Sequence, residues 1–130
     1  MTNGASPALP AQLVGEEVLF RALRNKGQQE DKRGAFLLRN DERATGLSVR
    51  RNCTPDDCEN DFSKSYGVLS LIAQQVVALG LRVVPDEPQH ANIKDVPHKD
   101  DDPERAMLIA GRLSALAVTI REGLRYRDTG

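Results

Sequence analysis

Aromatic residues are almost missing from this chain: three Phe, two Tyr and no Trp make up 4% of its 130 residues. A core must therefore come from Leu, Val, Ile and Ala. Cysteine is equally sparse, at two. With no export signal in the opening MTNGASPALPAQLVGEE, which lacks a basic region and a sustained apolar one, reduced thiols and a bacterial cytoplasm are expected. No apolar run approaches the ~18 residues that a membrane helix needs, so no membrane association is expected. Nor is there an excess of charge: the formal net charge is −1, which argues against a global nucleic-acid binder and leaves no strong nucleic-acid signature. The glycine-rich phosphate loop, G-x-S-x-G and H-E-x-x-H are all absent.

What is present suits one soluble domain. Hydrophobic residues at 39% and charged residues at 28% are globular values, and a chain this long can bury about two-thirds of its unfolded surface. Charge is uneven along it: residues 1–52 carry 9 basic and 6 acidic groups, 53–104 carry 4 and 11, and 105–130 carry 5 and 2. Residues 1–12, small, polar and proline-bearing, read as a flexible arm, and 13–127 as a single α+β domain.

Alternation of Val18, Phe20 and Ala22 with Leu19, Arg21 and Leu23 predicts a strand over 17–24; a helix over 10–24 competes with it. Residues 25–34 read as a loop, 35–39 as a second strand and 46–51 as a third, suggesting an antiparallel meander. Thr54-Pro55-Asp56-Asp57 has the form of a helix start. Phe62, Tyr66, Leu69, Val76 and Leu79 then keep helical spacing, so a long helix is expected over 62–79, closed by Gly80. Leu81–Val84 and Ala91–Val96 read as strands on either side of a proline-rich turn. Asp102-Pro103-Glu104 starts a second long helix, with Ile109, Leu113, Leu116, Ile120 and Leu124 on its apolar stripe, and Arg121, Arg125 and Arg127 gathered at its end. The expected fold is α+β: about five mostly antiparallel strands with two long helices packed on one face of the sheet.

Three groupings carry chemistry. His90 and Asn92, two apart on one strand, face the same side next to a rigid turn, where a histidine can serve as hydrogen-bond donor or general base; pinning the turn is the structural alternative. Arg21, Arg39, Ser48 and Arg50 would share a surface if the first strands pair, forming a site for a phosphate or carboxylate; arginines on a solvated sheet face are the alternative. Cys53 and Cys58, in CTPDDC, have ordinary thiols, a reversible disulfide or metal ligation open to them, but His90 and His98 do not complete a zinc pattern. No metal site is expected, and no cofactor. Asp100–Asp102 lack the spacing of a calcium loop and read as a solvated helix cap.

Leu19-Phe20-Arg21, Ala35-Phe36, Gly46-Leu47-Ser48-Val49 and His90-Ala91-Asn92-Ile93 together resemble a set of small, largely uncharacterised bacterial proteins with an LFR…F…GLSV…HAxI order, spanning about 18–118 here. That resemblance implies an α+β accessory domain of a multi-gene bacterial system. The chain also resembles ADP-ribosyltransferase-type domains, some of which place an Arg on the first core strand and a Ser on a later one, here Arg21 and Ser48. Their third, acidic position would fall to Glu104 or Glu122, both expected in the last helix rather than on a strand. The function expected is a non-enzymatic accessory or interaction domain that recognises a protein partner or a small anionic ligand. The alternative is a compact NAD-dependent or nucleotide-processing enzyme using Arg21, Ser48 and His90.

Overall fold

The computed structural model describes residues 9–60 and 66–122. Among these residues, six strands form one sheet: β1 (Val18–Ala22), β2 (Leu47–Arg50), β3 (Gly67–Ile72), β4 (Arg82–Glu87), β5 (His90–Lys94) and β6 (Val118–Glu122). Their order across the sheet is β4-β5-β2-β1-β3-β6, and every neighbouring pair is antiparallel. Among the described residues, four α-helices accompany them: α1 (Lys26–Glu30), α2 (Pro55–Asn60), α3 (Ala73–Val77) and α4 (Pro103–Leu116). The α+β class and the antiparallel sheet are as expected. No described helix is long and apolar enough to cross a membrane.

Directly opposed residues on antiparallel strands project from the same face, so the registers sort the side chains. Leu19, Leu69, Leu71, Leu47, Val49, Val83, Ala91 and Ile93 belong to one face, where they bury against Phe36, Val76 of α3, and Ile109, Ala110 and Leu113 of α4. This closed face holds the main core. The other, mixed face carries a small cluster of Phe20, Ala22 and Val68, closed by Cys58 of α2 with Cys53 beside it. Further along, towards β2, β5 and β4, that face bears Ser48, Arg50, His90, Asn92 and Asp86.

Several expected elements are corrected: the expected loop 25–34 holds the five-residue α1, and β4 runs on through Pro85 to Glu87, into the expected turn. The stretch 62–79 is not one helix: β3 runs from Gly67, followed by the five-residue α3. Gly67 has φ +135°, outside the helical region, and Val68, Leu69 and Leu71 are buried. A strand buried on both faces is continuously apolar and loses its two-residue period, so it imitates a helix stripe. Gly80 does end the helical turn, at φ +90° with its N–H on the Val77 carbonyl. Phe62 lies outside the described residues. Residues 35–39 are not a strand either; Asp31 accepts the Arg33 N–H and caps a 3-10 turn, Lys32–Phe36, which drives Ala35 and Phe36 into the core beneath α4. The last helix stops at Leu116 and the chain enters β6, so Ile120, Arg121 and Glu122 lie on a strand. Leu124, Arg125, Arg127 and most of the expected arm, 1–8, lie outside the described residues.

Both expected helix starts are present. Thr54 Oγ1 accepts from the Asp57 N–H (3.2 Å) while Asp57 Oδ2 accepts from the Thr54 N–H (3.0 Å). At α4, Asp102 accepts from the Arg105 N–H and Pro103 occupies the first turn. Asp101 pairs with Arg43 at 2.6 Å. Among the described residues, no group of three or more His, Cys, Asp or Glu side chains could hold a metal ion.

Candidate functional site

The candidate site is a recess of about 120 Å³ where β1, β2 and β5 meet, lined by Phe20, Arg24, Arg39, Ser48, Arg50 and His90 among others. Its centre is set by pairing of β2 with β5. Ser48 lies opposite Asn92 and Arg50 opposite His90, which leaves Ser48 and His90 diagonal neighbours on one face. Ser48 Oγ is 2.5 Å from His90 Nε2.

The β4–β5 hairpin supplies a third member. Pairing jumps from Pro85↔Ala91 to Glu87↔His90, leaving Asp86 as the extra residue of a bulge, a device that re-aims a side chain. Asp86 Oδ1 is 2.6 Å from His90 Nδ1, and Asn92 Nδ2 donates to Asp86 Oδ2 at 3.2 Å. Ionised, Asp86 only accepts, so Nδ1 carries a proton; in the neutral ring Nε2 is then left to accept from the Ser48 hydroxyl. Burial pushes the Asp86 carboxyl up, but the hydrogen bonds from His90 and Asn92 outweigh it and hold the group below its ordinary value.

Arg21 also lines the recess, but its guanidinium is committed to other protein groups. β1 and β2 pair only at Phe20↔Arg50; beyond it, side chains replace the ladder. The Arg21 guanidinium donates to the Ala35 carbonyl, to the Ser48 carbonyl (2.7 Å) and to Glu42 (3.0 and 3.3 Å). Glu42 in turn accepts the Ser48 N–H at 2.8 Å and the Arg39 N–H at 2.9 Å. Both side chains are almost fully buried. Burial lowers the Arg21 pKa and Glu42 opposes it; burial raises Glu42, while Arg21 and two backbone N–H groups overcompensate and hold it low. The pair therefore fixes both backbone polar groups of Ser48.

The structure thus brings Arg21, Arg39, Ser48, Arg50 and His90 to one recess, with the Arg21 guanidinium committed to Glu42 and the Ser48 carbonyl, and puts Asn92 one step behind through Asp86. Arg39 also contacts Asp41 (3.1 Å) and Glu42 (3.5 Å), and Arg50 Nε donates to the Gln89 carbonyl. Sequence reasoning missed Asp86, Glu42 and Arg24. The signal for Asp86 was available: a tight turn between it and His90 folds the two together at a separation of four. His98, the other imidazole, is buried and fully engaged: Nδ1 accepts the Asp100 N–H and Nε2 meets Asn40 Oδ1, both at 3.0 Å. Glu104 sits exposed in the first turn of α4, and Glu122 ends β6, a strand not adjacent to β2.

No protein-family model, curated protein or solved structure matches this chain.

Proposed function

We propose that the chain is a recognition domain for a small anionic ligand, a phosphate or carboxylate group held in the recess between β1, β2 and β5. The observation that carries this reading is the convergence of Arg24, Arg39 and Arg50 on the recess that holds Ser48 and His90. Guanidinium groups bind planar or tetrahedral oxyanions through paired N–H donors, and the hydroxyl adds a further polar contact. Arg21 contributes no ligand contact in this reading; it fixes the backbone on which Ser48 is presented. On the sequence grounds given above, the domain serves as an accessory component alongside a protein partner in a bacterial cytoplasm.

The test is calorimetric titration at low salt with inorganic phosphate, pyrophosphate, succinate and NAD. At least one of them binds, and Arg50→Ala weakens it about tenfold or more, as expected for losing a charge-assisted hydrogen bond of about 1.5–3 kcal/mol. Failure of all four to bind, or unchanged affinity in Arg50→Ala, ends this reading.

A nucleotide-processing enzyme of ADP-ribosyltransferase type is the second reading. It is favoured by Arg21 on β1 reaching the Ser48 carbonyl of β2, with His90 on the Ser48 hydroxyl. It predicts release of nicotinamide from NAD, lost in Ser48→Ala; a stable NAD signal in chromatography argues against it.

A further inference from the structure

Ser48, His90 and Asp86 form an unbroken line of contacts whose directions are fixed at one end by a carboxylate. We propose that Ser48 is a nucleophile for acyl transfer, with His90 as its general base and Asp86 as the residue that orients His90, acting on a small ester that carries a carboxylate or phosphate group. The distances, 2.5 Å from Ser48 Oγ to Nε2 and 2.6 Å from Nδ1 to Asp86, suit proton transfer in one direction, from hydroxyl to imidazole. Asn92 on the far Asp86 oxygen holds the carboxylate in line. Two further features support a working site rather than an incidental contact. Ser48 is tied at both backbone groups by the buried Arg21–Glu42 pair, so its side chain is presented from a fixed frame. The Ser48 N–H is thereby engaged, and the positive charge needed by an oxyanion falls instead to the arginines that line the recess.

Acyl chemistry fits a single imidazole better than phosphoryl transfer does. In-line displacement at phosphorus sets attacking and leaving oxygens on opposite sides, beyond the reach of one ring. At a tetrahedral carbon the same ring serves both. Ser48 Oγ bonds to the ester carbonyl carbon as its proton passes to His90 Nε2 and the carbonyl electron pair moves to oxygen. Return of that pair breaks the C–O bond to the alcohol, which leaves with the Nε2 proton. Water then adds to the acyl carbon, giving a proton to Nε2; collapse releases the carboxylic acid and restores the Ser48 hydroxyl with that proton.

The substrate's charge rests on the anion-binding reading, whereas the nucleophile does not, and the experiment separates them. The full chain is incubated with phenylmethylsulfonyl fluoride, a neutral serine reagent, and labelling is located by peptide mass spectrometry; inorganic phosphate is titrated into the same preparation. Expected is a single adduct on Ser48, absent in Ser48→Ala, slowed about 100-fold or more in His90→Ala and slowed at least about tenfold in Asp86→Asn. Labelling of the wild type while inorganic phosphate, pyrophosphate, succinate and NAD all fail to bind supports the nucleophile and removes the charge of the substrate. Phosphate binding without Ser48 labelling overturns the inference and leaves the recognition domain standing. Labelling that is equally fast in His90→Ala also overturns it, because Ser48 would then react without its base.

Discussion

Arg21 is 7% exposed and its partner Glu42 2%, so neither charge has water to fall back on. Such a pair contributes little beyond what two well-packed apolar residues would, but loss of one member strands the other. Glu42→Gln is therefore expected to cost about 3–5 kcal/mol, read from the urea midpoint. Arg21→Met with Glu42→Gln should cost less than the two single changes summed, because no unpaired charge remains. The pH dependence has a definite sign. Glu42 is held below its ordinary 4.5 in the folded chain, so its contribution is complete above that value and is lost as the pH falls through the lower folded pKa. In Glu42→Gln that part of the acid limb should flatten. Arg21 drew attention in the sequence as a cation on a strand, and its inward role was hidden because its partner is 21 residues away. His90 and Ser48 were legible as candidates on chemical type alone. Their contact was not, since one residue of slip between β2 and β5 would place them on opposite faces.

At the scale of elements, the junction before β2 has a requirement that only glycine meets. Gly46 has φ +114°, and a Cβ there would come within 2.8 Å of the Ile93 carbonyl oxygen of β5. That contact is backbone, with little room to yield. Gly46→Ala should lower stability by about 1–3 kcal/mol and, by prising β2 from β5, loosen the Ser48–His90 contact. Urea unfolding and the Ser48 labelling rate measured together check both parts. Elements with clear local signals were readable: β1 from its alternation, α2 and α4 from Thr54-Pro55 and Asp102-Pro103, and the existence of β4 and β5 from the prolines near their junction, although β4 runs through Pro85 to Glu87. β3 was not, because burial on both faces erased its period. The 3-10 turn Lys32–Phe36 was not either; Ala35-Phe36-Leu37-Leu38 is apolar because it plugs the core under α4, a tertiary demand that local pattern does not encode. The bulge at Asp86 belongs with these, since two-versus-one pairing is a property of a strand pair and not of a strand.

The whole molecule divides its labour between the two faces of one sheet. The closed face packs aliphatic side chains against α3 and α4, and the mixed face adds a patch sealed by α2 and then opens as the polar recess. Antiparallel order was foreseeable from short strands and tight turns, whereas strand order was not: β1 lies between β2 and β3, and β6 returns from the far end of the chain to pair with β3. Because the faces share strands but not side chains, stability and site chemistry should separate under mutation. Leu113 is fully buried in α4 on the closed face. Leu113→Ala should cost about 2–5 kcal/mol by loss of transfer energy and creation of a cavity. The folded fraction should nevertheless keep its anion affinity and its Ser48 labelling rate, since no recess residue belongs to α4. Urea unfolding gives the first quantity, and titration well below the unfolding midpoint gives the second. A fall in affinity of the folded Leu113→Ala chain would mean that α4 packing sets the β2–β5 register through the sheet, and the two faces would then have to be treated as one coupled unit.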